Sequence, residues 1–299
     1  MSVEFCGLRV AHPVINASGT FDLLAAAETF DGGLFHPFPF AAFVSKTITL
    51  APRGGNPPPR LWEAPAGLIN SIGLPNRGLT GYLEHDLPRL RELLGEVPLV
   101  TNVMASTGDE LGELVAALDE RAEVAAIELN VSCPNVHTGL DLGADPVELA
   151  AALRVVRPRT AKPLIVKLTP NAADVPAVAA AAADAGADAV SLINTLRAMA
   201  LAPRAGVAWL GGGGGGLSGP AVRPVALAQV AAVAARVDVP VVGMGGVQTA
   251  AHARDLLDVG ARLVAVGTES FRDPAAGARI ARGLQASPAN RGFSPAEQV

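Results

Sequence analysis

Leu164-Ile165-Val166-Lys167-Leu168, a break at Thr169-Pro170, the alanine-rich run Ala172 to Ala185, Gly186, and then Ala189-Val190-Ser191-Leu192-Ile193 follow one another along the chain. The first and last pieces are short, apolar and partly β-branched, which predicts strands. The middle piece has the length and composition of a helix, and Gly186 offers a left-handed cap at its end. Strand, helix and strand in that order make one unit of a parallel sheet. The same stretch, read from Val175 to Leu192, is broken by Asp184, Gly186 and Asp188, so it is a helix, a turn and a strand and not a membrane span.

Working outward, the theme recurs. Apolar runs with strand character lie at Pro13 to Ile15, Phe43 to Ser45, Leu99 to Val103, Ala126 to Leu129, Leu164 to Leu168, Ala189 to Ile193, Val239 to Gly243 and Leu263 to Val266. Helical stretches stand between them. Pro146 to Val156 opens with a proline where the first turn tolerates one, and His252 to Val259 closes on Gly260. The expectation is an α/β fold, a single (βα)8 TIM barrel with functional loop insertions at the C-terminal face of the strands, spanning 1–299 as one domain. Pro52 to Leu68, Val136 to Asp145 and Arg197 to Gly216 lack the strand–helix grammar. They read as long irregular loops, which in a compact domain are usually functional.

Composition agrees with one large domain. The 299 residues are 50% hydrophobic and 17% charged, enough for a sizeable core and far from a disordered composition. With 23 basic against 28 acidic residues, the net charge of -5 leaves no positive excess for a nucleic acid backbone. Cys6 and Cys133 are far too few for a disulfide scaffold. Met1 to Val10 has neither a basic start nor a long apolar core, so no signal peptide is expected and the cytoplasm is the expected compartment. The histidines at 12, 36, 85, 137 and 252 have no metal-ligand spacing.

In such a barrel the reactive groups sit just after the strands. There the chain is strongly polar: Asn16-Ala17-Ser18-Gly19-Thr20, Lys46-Thr47, Asn102, Asn130, Lys167 and Asn194-Thr195. Any one of these is explained as a turn residue. Together they point to a site, because buried amides and ammonium groups need partners. The last two strands end in Gly243-Met244-Gly245-Gly246 and Gly267-Thr268, where backbone amides approach a phosphate most closely, and Gly219 offers another. Lys167 has three readings: a snorkelling structural lysine, a Schiff-base lysine of an aldolase, or a cation beside a flavin. Only the last also gives the asparagines work.

The segment Glu128-Leu129-Asn130-Val131-Ser132-Cys133-Pro134-Asn135-Val136 resembles the active-site segment of the dihydroorotate dehydrogenases. So do Asn16 to Phe21, Asn70-Ser71-Ile72-Gly73-Leu74-Pro75-Asn76, Val166 to Asn171, Ile193 to Leu196, Gly215 to Pro220, Gly243 to Gly246 and Val266 to Thr268, in the family's order, from Leu8 to Phe271. Cysteine at the base position and the wording of the Asn70 and Gly215 segments look most like class 1, and within it the NAD-linked class 1B catalytic subunit. The resemblance implies FMN, with contacts at Ser18, Lys46, Thr47, Asn102, Asn130, Lys167, Ile193, Gly219, Gly245, Gly246, Gly267 and Thr268. It implies dihydroorotate contacts at Lys46, Asn70, Ser71, Ile72, Gly73, Leu74, Asn130, Asn135, Asn194 and Thr195, and Cys133 as the base that takes the C5 proton. Amides suit a ring of alternating N–H and C=O groups, and a lysine suits its carboxylate.

Two cysteines cannot hold an iron–sulfur cluster. The resemblance therefore implies a partner subunit carrying FAD and an iron–sulfur cluster to reach NAD, around a homodimeric core. Fumarate is the alternative oxidant. Quinone is disfavoured because the motifs begin almost at once, at Leu8. A dihydropyrimidine dehydrogenase domain is the nearest rival, and a lysine aldolase or a binding scaffold the more distant ones; Asn135 and Lys46 favour orotate. The chain departs from the family at Gly211 to Gly216, six glycines that composition alone marks as flexible, and at Met104-Ala105-Ser106 after Asn102.

Overall fold

A computed structural model describes residues 2–30, 37–131, 142–203 and 206–286. Its first strands, β1 (Val3–Phe5) and β2 (Leu8–Val10), pair as an antiparallel hairpin. Next come β3 (Val14–Asn16), β4 (Phe43–Val44), β5 (Leu61–Ala64), β6 (Gly67–Asn70), β7 (Leu99–Val103) and β8 (Val124–Asn130). The rest are β9 (Leu164–Lys167), β10 (Ala189–Leu192), β11 (Leu196–Ala198), β12 (Gly215–Ser218), β13 (Val241–Met244) and β14 (Leu263–Val266). Eight of these form one parallel sheet in the order β3-β14-β13-β10-β9-β8-β7-β4, the expected (βα)8 barrel.

Helices fill the returns: α1 (Leu23–Thr29), α2 (Gly78–Gly81), α3 (Leu87–Leu94), α4 (Gly108–Asp119), α5 (Pro146–Val156), α6 (Val175–Asp184), α7 (Arg223–Ala234), α8 (Ala250–Asp258), α9 (Glu269–Arg272) and α10 (Ala276–Ala286). Side-chain oxygens start several of them. Thr107, Asp145, Asp174 and Thr249 each accept an amide of the first turn. Asp174 explains why α6 begins at Val175 and not at Ala172. Pro240, which has no N–H to give a ladder, explains why β13 begins after it. Among the described residues no helix is long and apolar enough to cross a membrane.

Because strand side chains alternate, residues two apart along a barrel strand enter the lumen together. The lumen's lower layers are apolar: Ile15, Val44, Val100, Ala126, Ile165, Ala189, Val242 and Leu263 pack with Phe5 and Val10 of the β1–β2 hairpin, which stops that end. Cys6 Sγ donates to the Asp188 carbonyl at 3.3 Å and Arg262 Nε to the Glu4 carbonyl at 3.0 Å, tying the hairpin down. Two residues further along the strands the lumen turns polar, at Asn102, Glu128, Lys167 and Ser191, all buried. A larger apolar layer lies between the strands and their helices.

The sheet's two end strands are short, and a side chain joins them. Asn16 Oδ1 accepts the Val44 amide at 2.8 Å while its Nδ2 donates to the Val44 carbonyl at 2.8 Å. One backbone bond, from Ala41 N–H to Val14 C=O at 2.9 Å, supplements it. The side-chain amide thus takes the place of a strand rung.

Two segments expected as irregular loops are not so. Pro52 to Leu68 contains β5 and the start of β6, and Arg197 to Gly216 contains most of β11 and the start of β12; these strands pair antiparallel as β11-β12-β6-β5. Their partners lie far apart in sequence, Gly216 opposite Asn70, so no local pattern announces them. Nor does the glycine run act as a flexible linker here. A Cβ on Gly212 would lie 2.4 Å from Ser71 Oγ, on Gly215 2.4 Å from the Asn70 carbonyl and on Gly216 1.9 Å from Thr195 Oγ1. At Gly211, Gly212, Gly215 and Gly216 a neighbouring segment passes too close for a side chain, and Gly213 has φ +81°, while Gly214 has room for a Cβ.

Asn16→Leu strands both polar groups of Val44 in a fully buried place, so unfolding in urea should show a loss of about 2–5 kcal/mol; Asn16→Asp should destabilise as well, because a carboxylate keeps the acceptor for the amide but sets a second acceptor against the Val44 carbonyl. His12 is held below its usual range, burial being the largest cause, and its Nδ1 accepts the Val14 amide at 3.3 Å. A depressed histidine pKa means the unfolded chain binds the extra proton first. Its stabilising effect is present above about pH 6.5 and lost as pH falls from there through the lower folded value; His12→Gln should flatten that part of the stability–pH curve.

Candidate active site

The C-terminal strand ends surround a cavity of about 410 Å³, within the range of small-molecule sites. Lys46 and Thr47 reach it from the segment after β4, Asn130 from β8, Lys167 from β9, Ile193, Asn194 and Thr195 from beyond β10. Gly219 follows β12, Gly245 and Gly246 follow β13, Gly267 and Thr268 follow β14, and Ser18 follows β3. Asn70, Ile72, Gly73 and Leu74 approach from β6 across the mouth. All of these were selected from the sequence.

Two selected residues stand back from the cavity. Ser71 is 1% exposed, its amide bonded to the Arg60 carbonyl and its hydroxyl to Asn56 Nδ2. Asn102 is wholly buried in the lumen. Cys133 and Asn135 lie outside the described residues. Sequence reasoning passed over several lining residues, among them Asp22, Leu68, Leu217, Met244 and Phe271. Met244 carries a usable signal, since it follows Val242 by the strand period. Leu217 does not, because its position depends on the β6–β12 pairing.

The polar groups fall into three sets. At the mouth, Lys46 Nζ meets Asp22 Oδ2 at 3.0 Å, with both side chains nearly half exposed. So exposed a pair adds little stability and leaves the ammonium able to change partners. In the middle, Asn194 Nδ2 donates to Asn130 Oδ1 at 3.3 Å and its Oδ1 accepts the Thr195 amide at 2.8 Å. On the floor, Lys167 and Glu128 are buried with Nζ and Oε1 4.0 Å apart.

The glycines form the fourth wall. Gly246 has φ +68°, and a Cβ there would sit 2.7 Å from Arg223 Cβ and 2.9 Å from the Gly219 carbonyl. The turns after β12 and β13 therefore meet at a distance that a side chain at Gly246 would prevent, and the glycines there present backbone to the cavity. Thr268 Oγ1 and Ser218 Oγ lie 2.8 Å apart beside them. A cradle of amides suits a phosphate, and the buried lysine suits a delocalised anion. The Oδ1 of Asn102 has no hydrogen-bond partner among the described residues, an acceptor still to be met. Among the described residues no cluster of His, Cys, Asp or Glu is placed to hold a metal.

Comparison with known proteins matches the sequence to one family. The sequence model of dihydroorotate dehydrogenase matches residues 1–287. The "Dihydroorotate dehydrogenase B (NAD(+)), catalytic subunit" of Geobacter sp. (strain M21) is 44% identical over 286 residues, 95% of this chain and 92% of that protein. The protein of the same name from Desulforudis audaxviator is 44% identical over 289 residues, covering 95% and 91%. That from Geotalea uraniireducens is 41% identical over 304 residues, covering 100% and 96%.

The glycine wall can be tested apart from any ligand. Gly246→Ala should cost about 2–4 kcal/mol in denaturant unfolding, from left-handed strain plus overpacking. Gly267→Ala, whose Cβ would be no closer than 3.6 Å to its nearest neighbours, should unfold within about 1 kcal/mol of the parent.

Proposed function

The chain belongs to the dihydroorotate dehydrogenase family, and from that premise we propose that it oxidises (S)-dihydroorotate to orotate in pyrimidine synthesis as an NAD-linked, class 1B catalytic subunit. The observation that carries the reading is convergence: residues from seven of the barrel strands' ends, and from β6 and β12 beside them, line one cavity holding a buried cation, paired amides and a glycine cradle.

The family is flavin-dependent, and FMN is the flavin these residues suit. Gly219, Gly245, Gly246, Gly267 and Thr268 would hold its phosphate, and Ser18, Thr47, Asn130, Lys167 and Ile193 its ring system, with Asn102 in the buried layer beneath. When bound, FMN supplies the acceptor for the hydride leaving C6 of the substrate. The chain's own residues do the rest. Lys167 places positive charge where the reduced ring becomes anionic. Asn70, Asn130, Asn194 and Thr195 match the alternating donors and acceptors of the pyrimidine ring, with Asn135 completing the set. Lys46 exchanges Asp22 for the substrate carboxylate, with the backbone of Ile72, Gly73 and Leu74 alongside.

Cys133 takes the C5 proton as a thiolate. Cys6 is no substitute. Burial, then the negative charge of Asp188, pushes its thiol up to about 11, and it sits at the opposite end of the barrel. The names of the relatives as catalytic subunits support a second subunit for this chain. We assign it FAD and an iron–sulfur cluster, with the chain acting as one domain in a homodimeric core in the cytoplasm.

Cys133→Ala should keep bound FMN and slow flavin reduction by dihydroorotate about 100-fold to 10,000-fold in stopped flow, and the parent reaction should quicken as pH rises through the thiol pKa. A near-normal half-reaction in the variant removes Cys133 from the chemistry. The purified chain should reduce its flavin with dihydroorotate yet turn over slowly with NAD until the second subunit is added. Brisk turnover with fumarate, or with NAD alone, would reject the NAD-linked assignment and leave the substrate assignment standing.

A further inference from the structure

Glu128 is the one buried acid in the lumen's polar layer, and nothing above gives it a task. It lies on β8 two residues below Asn130, 4% exposed. Both of its oxygens accept hydrogen bonds: Oε1 from Asn102 Nδ2 at 2.6 Å and Oε2 from Ser191 Oγ at 2.8 Å. Oε1 also lies 4.0 Å from Lys167 Nζ. One side chain therefore joins β7, β8, β9 and β10 just beneath the cavity.

Hydrogen bonding alone does not call for a charge here. A neutral glutamine would accept from Ser191 and, with the Asn102 amide turned over, donate to its partnerless Oδ1. Burying a carboxylate is costly unless a cation offsets it, and the cation within reach is Lys167. The reverse holds as well: Glu128 behind the buried ammonium offsets part of the cost of taking that charge out of water. At 4.0 Å the pair attracts without a direct hydrogen bond, so the ammonium still projects positive potential toward the cavity, reduced by the carboxylate. Glu128 also fixes Asn102. A carboxylate only accepts, so Nδ2 must face it and Oδ1 is turned away from it.

We propose that Glu128 is a positioning residue that sets how much positive charge Lys167 presents to the bound flavin. The proposal rests on the FMN reading above. It predicts that Glu128 tunes the preference of the site for reduced over oxidised flavin and is more than a brace between strands.

The experiment compares holoenzyme variants by equilibration with redox dyes of known potential, alongside FMN content and thermal unfolding. Glu128→Gln removes the charge and keeps the shape, so the carboxylate no longer reduces the potential of Lys167. The ratio of reduced to oxidised flavin affinity should rise about tenfold, a potential increase of about 30 mV for a two-electron couple. Glu128→Asp should return it most of the way. Ser191→Ala removes one donor from the carboxylate, leaves its charge stronger, and should move the potential the opposite way. If Glu128→Gln does not accumulate folded, the Ser191→Ala shift decides by itself. A lower unfolding temperature with an unchanged potential in these variants would reduce Glu128 to a brace and overturn the proposal. Absence of FMN from the unaltered protein would instead overturn the cofactor reading, and this inference with it.

Discussion

A parallel sheet becomes a barrel only if its first and last strands meet, and here that meeting rests on the side chain of Asn16. Both bonds to Val44 run through one amide, at 2.8 Å each, because β3 and β4 offer three and two residues and no paired ladder between them. An amide can do this because it carries a donor and an acceptor side by side, as a peptide does. Closure leaves no open edge on the sheet and fixes the lumen's width. Everything at the strand ends, the cavity included, inherits its spacing from that ring.

Once the ring is closed, the two-residue period of strands converts sequence order into depth. Val100, Ala126, Ile165 and Ala189 form an apolar layer; two residues on, Asn102, Glu128, Lys167 and Ser191 form a polar one. On β8 the next step is Asn130, at the cavity itself. The chemistry is therefore supported from below by a buried network, whose carboxylate and ammonium each make the other's burial tolerable. The mouth is built differently. Lys46 and Asp22 are half exposed there, which suits a pair that must open for a charged ligand.

Flanking the mouth, the four-stranded antiparallel sheet comes from two excursions, one after β4 and one after β10. Its close approaches explain the glycine composition of 211–216 better than mobility does, since side chains at Gly212, Gly215 or Gly216 would overlap Ser71, Asn70 or Thr195. A second consequence is that Asn70 and Thr195, far apart in the chain, are held against one strand, with Asn70 Nδ2 donating to the Gly216 carbonyl at 3.1 Å.

The eight strand positions, the helix at Pro146–Val156 and the polar residues after the strands were legible in the sequence because each depends on local regularities: apolar runs, caps and turns. Cys133 and Asn135 were legible only as part of a family motif. Glu128 was present in that motif yet silent, since a strand glutamate reads as solvent-facing until the sheet closes around it. Only the tertiary structure decided the pairing of β5, β6, β11 and β12, the withdrawal of Ser71 and Asn102 from the cavity wall, and the Asn16 closure. Each depends on contacts between residues that are remote in the chain, and the free energy of such contacts comes from a geometry that exists only after the strands have assembled.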